Sequence, residues 1–269
     1  MQNIDPLYFL SPLVIVAFSF GLVIFWRRKK CFTKWAFLYS LLAYAGAIAL
    51  KYAVQIPTIH AVESATGNNP LIMGLYYGIQ TGVFEVGGAF LVASYAVSKG
   101  HFGSRDGGAF GLGLAMWENG VLIGAATLVN YIAYYTILGL PNSGASQTVY
   151  NALVQSAPSL FYGPAKALPY VGYSILERIS SLLGHFSWGF LAVWSVVYKK
   201  KYYFAIAFPI GFLIDFSVPF APRLGTGLFE LLVFVIAVVG FAATLWVTRG
   251  IRRNMKSANG GQVATETRT

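Results

Sequence analysis

PLIMGLYYGIQTGVFEVGGAFLVASYAVS, residues 70–98, is one apolar stretch with a single ionisable side chain, Glu85, near its middle. A spanning helix needs roughly 17–25 such residues, so this run reads as a transmembrane helix that tilts or protrudes. Working outward, comparable runs fall at 7–26, 35–54, 108–138, 174–198, 202–221 and 224–248. Composition points the same way. Hydrophobic residues make up 57% and charged ones 10%, with mean hydropathy +0.62, whereas a soluble domain carries about 25% charged residues. The expected fold is all-α: one polytopic bundle of about seven membrane spans over residues 1–256, followed by a polar, disordered tail, 257–269.

Lys and Arg placement orients the bundle. Arg27, Arg28, Lys29, Lys30, Lys34, Lys99, Arg105, Lys199, Lys200, Lys201, Arg249, Arg252, Arg253, Lys256 and Arg268 all fall on one side of seven alternating spans. The other side has Lys166 and Arg223. The N-terminus is therefore expected outside and the C-terminus in the cytoplasm of a multi-pass cell-membrane protein. The formal charge of +10 is topogenic and suits anionic lipid headgroups; no soluble basic surface exists to bind nucleic acid. The first run lacks the features of a cleavable signal peptide. The single Cys31 excludes an intramolecular disulfide and a cysteine metal cluster, and reads as an ordinary cysteine ahead of a palmitoylation site. Residues 139–173 form a long outer segment, a plain loop or an entrance lid, with a short surface helix near Val149–Ala157 and breaks at Pro158, Pro164 and Pro169.

Four ionisable groups share one depth. Glu85 lies 14 residues before Lys99, Glu118 13 after Arg105, His185 14 before Lys199 and Asp215 14 after Lys201. At about 1.5 Å per residue each is roughly 20 Å from the basic boundary. Ionisable groups at bilayer depth are costly, and four on separate helices at one level point to a shared polar cavity. Glu85 sits among Gly82, Gly87 and Gly88, which leave room for close packing or for water. Glu118 precedes Asn119; about 100° apart on an α-helix, the two can flank a cleft but not meet at one point. Arg178 and His185 share a face, and Glu177 with Arg178, near the outer interface, reads as a snorkelling or ion-paired couple. Glu230 is expected to face the interface or pair with Arg223, and Lys51 to snorkel.

In this order, Glu85, Glu118-Asn119, Glu177-Arg178 with His185, and Asp215 resemble the motifs of the CAAX-protease superfamily of intramembrane proteases, in its PrsW-like and YhfC-like branches, over roughly 80–216. The chain departs from that pattern at Val86, where a second Glu is expected, at Gly88, where a basic residue is expected, and at Gly211, where a second His is expected. The resemblance implies a glutamate-dependent intramembrane endopeptidase acting on a membrane-embedded peptide or protein. Glu85 would be general base on a water positioned with His185, Asp215 and Asn119 would orient groups at the oxyanion, and Glu118 would stand behind or donate a proton. Glu177 and Arg178 would be substrate or structural groups. No cofactor is expected; one His with carboxylates makes zinc the lesser choice. The alternative is a non-catalytic membrane protein that keeps the cavity for partner binding or for proton or solute transfer. A microbial rhodopsin is excluded, because 224–248 has no Lys for a Schiff base.

Overall fold

The computed structural model describes residues 2–29, 33–140 and 143–266, with side chains described up to Arg249. Its described regular structure is helical throughout. Among the described residues, seven helices are long and apolar enough to cross a membrane: α1 (Pro6–Arg28), α2 (Trp35–Thr66), α3 (Pro70–Ser98), α4 (Asp106–Leu138), α6 (Pro164–Val197), α7 (Tyr202–Leu224) and α8 (Thr226–Arg249). A short helix, α5 (Gly144–Ser156), lies between α4 and α6. The protein is a multi-pass membrane protein. Seven alternating helices bring Arg28, Lys34, Lys99, Arg105, Lys199 and Arg249 to one end of the bundle, which we call the basic end.

The helix limits follow local chemistry. Gly67, at φ 58°, closes α2 in the left-handed region that glycine adopts freely. Asn69 then caps α3, accepting from the Leu71 N–H, with Pro70 at the first helical position. At the basic end, the Asp106 carboxylate accepts the backbone N–H groups of Thr33 and Gly103, tying the turns before α2 and α4 together. Two expected boundaries move. Helix α6 begins at Pro164, ten residues earlier than its apolar run, and keeps Pro169 inside; Pro164 suits a first turn, and Pro169 frees only one carbonyl near the helix end. The backbone of α8 continues as helix to Glu266, through most of the segment whose composition reads as a tail. Extending a formed helix costs far less than starting one. Cys31 lies outside the described residues.

Helix α6 is central and packs against α4, α8, α7 and α3. Its contact with α4 is backbone-close: a Cβ on Gly189 would meet Gly111 Cα at 2.7 Å. On α3, Gly74, Gly78 and Gly82 receive Phe216, Phe212 and Phe208 of α7; a Cβ on Gly74 or Gly78 would meet the Phe216 or Phe212 carbonyl at 2.6 or 2.8 Å. Small residues four apart let membrane helices approach this closely, and here they set Glu85 of α3 beside Asp215 of α7.

The segment between α4 and α6 is folded. Residues Ile4, Tyr8, Leu138, Leu153, Leu160, Ala167 and Val171 form a second, smaller core. Asp5 N–H donates to the Leu160 carbonyl at 3.0 Å and Gln2 Nε2 to the Phe161 carbonyl at 2.9 Å.

Candidate functional site

The sequence-predicted groups converge. Glu85, Glu118, His185 and Asp215 line one cavity of about 610 Å³, together with Tyr44, Lys51, Thr81, Glu177, Arg178, Ser181 and Glu230. His185 is 4% exposed, with the Trp188 ring 4.2 Å from its own.

Glu85 and Glu118 each sit in a π-helical stretch, Thr81–Val86 and Met116–Ala125. Such wide turns inside α-helices recur at functional sites. They also correct the expectation that Glu118 and Asn119 cannot reach one point. Arg178 Nη1 donates to Glu118 Oε1 at 3.2 Å and to Asn119 Oδ1 at 3.3 Å, because the i→i+5 winding turns less per residue than an α-helix. Asn119 is 1% exposed. It stands behind Arg178 and faces a small separate cavity rather than the main one.

Each inward donor is held from behind. The backbone carbonyl of Ser181 is 3.0 Å from His185 Nδ1; a proton on Nδ1 satisfies that contact and leaves a lone pair on Nε2. Glu118 Oε1 accepts from Ser181 Oγ at 3.0 Å and from Arg178, which leaves Oε2 turned to His185. Glu85 Oε1 accepts from Lys51 Nζ at 2.7 Å, and again Oε2 faces His185.

His185 Nε2 lies 2.8 Å from Glu118 Oε2 and 3.7 Å from Glu85 Oε2, yet it has no aligned hydrogen bond among the described residues. Glu85, Glu118 and His185 offer three donor atoms within 4.8 Å of one another. Two ligands about 2.0–2.1 Å from zinc at the tetrahedral angle lie roughly 3.3 Å apart, a spacing that the two distances bracket. A buried Nε2 without an aligned partner, facing two carboxylate oxygens, is a donor set that fits a divalent metal.

Lys51 does not snorkel. Its ammonium donates to Thr81 Oγ1 at 2.8 Å, to Glu85 Oε1 at 2.7 Å and to Asp215 Oδ2 at 2.7 Å, and Thr81 also bonds Asp215. Two opposite charges at bonding distance outweigh the gain from reaching the interface. Sequence reading missed Lys51, although a signal existed. It lies 17 residues after Lys34, about one turn beyond the level of the three acids and His185, and helix side chains lean toward the N-terminus, back to that level.

One departure from the expected pattern, Gly88, lies against α2. Gly88 abuts Ala47 and Ala43, and Lys51 follows one turn past Ala47 on the same helix. The other two departures are neighbours: a Cβ on Gly211 would meet Val86 Cγ2 at 2.7 Å. Val86 fills the place next to which a side chain at 211 would need to stand.

Arg178 meets Glu177 as expected, with Glu118 as a second, unforeseen carboxylate partner. Glu230 does not face outward, and it has no ion pair with Arg223 among the described residues. It is 6% exposed and lines the main cavity, because α8 packs along α6 and turns it inward.

With that geometry, the comparison with known families is decisive: the model for the YhfC intramembrane metalloproteases matches residues 13–236. The chain belongs to the YhfC family. The match covers α1 to the first half of α8 and therefore every residue of the site. No curated protein matches the chain, and no solved structure does. Glu85, Glu118 and His185, the group that could hold a metal ion, lie within the matched YhfC region.

Proposed function

We propose that the protein is an intramembrane endopeptidase in which Glu85, Glu118 and His185 hold a divalent metal such as zinc. The observation that carries the reading is the unsatisfied His185 Nε2 facing two carboxylate oxygens whose partner atoms are all held from behind. When bound, the metal would act as a Lewis acid on the scissile carbonyl and make water more acidic. Three protein ligands leave a coordination position open, as catalytic zinc sites do.

The surrounding side chains then divide the work. Asp215, joined to Glu85 through the Lys51 ammonium, is the carboxylate beside the donor set that would take a proton from the attacking water. Lys51 and Thr81 bind its Oδ2, so Oδ1 is the accepting atom. Lys51 is a clamp: an ammonium has three donors, and Thr81, Glu85 and Asp215 take all three. It orients Glu85 and Asp215 relative to each other and has no N–H left for an oxyanion. Arg178 and Ser181 hold Glu118, and Asn119 holds Arg178. The Trp188 and Tyr44 rings exclude bulk water around His185, which strengthens every charge contact inside. The wider kinship with the CAAX-protease superfamily, and the outside position of the N-terminus, belong to this proposal too.

The test uses the purified protein in lipid vesicles with a fluorogenic single-span peptide. Wild type is expected to bind about one zinc per chain by elemental analysis and to cleave. Chelation should abolish cleavage and zinc should restore it. His185→Ala and Glu118→Gln should lose zinc and at least ~10²-fold of the rate. Asp215→Asn should keep zinc and lose a similar factor. Full cleavage after exhaustive chelation, with no zinc bound, would overturn the metal assignment and return Glu85 to the role of base.

A further inference from the structure

The mechanism leaves one carboxylate at the cavity wall unused. Glu230 is 6% exposed, its Oε2 has no hydrogen-bond partner, and it makes no ion pair among the described residues. Arg178 forms no hydrogen bond with it: its Nη1 donates to Glu118 and Asn119, and its Nη2 to Glu177. A buried carboxylate without a partner is costly. The cavity as a whole is also unbalanced in formal charge. Five carboxylates line it, against Lys51 and Arg178. A divalent metal at Glu85, Glu118 and His185 would still leave one negative charge unmatched. Glu85, Glu118, Glu177 and Asp215 each have an ion pair with Lys51 or Arg178, which leaves Glu230 as the lining carboxylate without one among the described residues, and Phe229, Val233 and Leu122 line the same cavity.

We propose that Glu230 is a specificity residue that receives a lysine or arginine side chain of the substrate segment. This deepens the peptidase reading and rests on it. The apolar neighbours suit an aliphatic stem, and Glu230 suits the cationic head. Such side chains run their stems along apolar surface and keep the charge at a polar site. Glu230 lies five residues into α8, toward the end of the bundle opposite the basic end. The selected residue would therefore sit near that boundary of the substrate's own span, with the scissile bond deeper.

The experiment reads binding, so that it does not depend on turnover. The probes are fluorescent Ala-Leu-Leu-Xaa-Leu-Leu-Ala peptides with N-methylated, uncleavable backbones, Xaa being lysine, norleucine or glutamate. They are titrated against the reconstituted full chain, zinc-loaded and chelated. Wild type is expected to bind the lysine peptide at least tenfold tighter than the norleucine peptide in both states and to reject the glutamate peptide. Glu230→Gln should bring lysine within about twofold of norleucine and leave norleucine unchanged. Thermal melting checks that the variant folds, and Glu230→Met serves if it does not. Equal lysine and norleucine binding to wild type overturns the proposal alone. A lysine preference that survives Glu230→Gln also overturns it, assigning the attraction to the other carboxylates. No binding of any peptide overturns it together with the reading of the cavity as a peptide chamber.

Discussion

Lys51 has one charge facing two carboxylates in an environment where neither sign is cheap alone. Its side chain is 14% exposed, Glu85's 9% and Asp215's 26%. Removing one member of such a group leaves the rest uncompensated, which costs about 3–5 kcal/mol. Lys51→Met is therefore expected to melt at a markedly lower temperature in lipid and to lose cleavage. Adding Glu85→Gln and Asp215→Asn should restore much of the melting temperature and none of the activity. If Lys51→Met melts like wild type, the clamp role is wrong. The site's acids and its histidine were legible as residues because an ionisable group stands out in an apolar run. Lys51 was misread by the same logic. A lysine near a span end has a cheap alternative in the interface, and only the fold shows that two carboxylates outbid it.

At the scale of the element, the spans were legible from length and apolar content, and their ends less so. Apolarity reports where lipid or protein must cover a helix, but α2 continues to Thr66 and α6 starts at Pro164, in stretches too polar for the hydrocarbon. The π-helical turns left no pattern to read, since Glu118-Asn119 looks the same in either winding. The contact of α3 with α7 offers a sharper test. Gly211→Ala should cost about 1–3 kcal/mol through overpacking against Val86. Val86→Ala should relieve part of it, giving a coupling of roughly 0.5–3 kcal/mol in a double-mutant cycle of unfolding. Additive effects would mean that the two departures from the family pattern are unrelated. Gly211→His, which restores the pattern, is expected to impair folding and not to raise activity.

For the whole molecule, the basic end defines a polarity that the helices alone do not. With the basic end in the cytoplasm, a cysteine placed at Ser143 should react with a membrane-impermeant maleimide added to intact cells. One placed at Lys200 should react only after permeabilisation, with Cys31→Ser as background in both. The reverse pattern would invert the bundle and put Glu230 on the cytoplasmic half.

The clasp between the first residues and Leu160–Phe161 has a consequence for how the molecule is made. Its two halves are about 150 residues apart, and ribosomes add roughly 5–20 residues per second. The N-terminal helix thus waits on the order of ten to thirty seconds in the bilayer before its partner segment is synthesised. During that interval Ile4 and Tyr8 have no core to enter. Assembly is for that reason ordered in time: insertion of the early spans first, closure of the cap only after the chain has begun its central helix, and the cavity sealed last of all, when α8 arrives with Glu230.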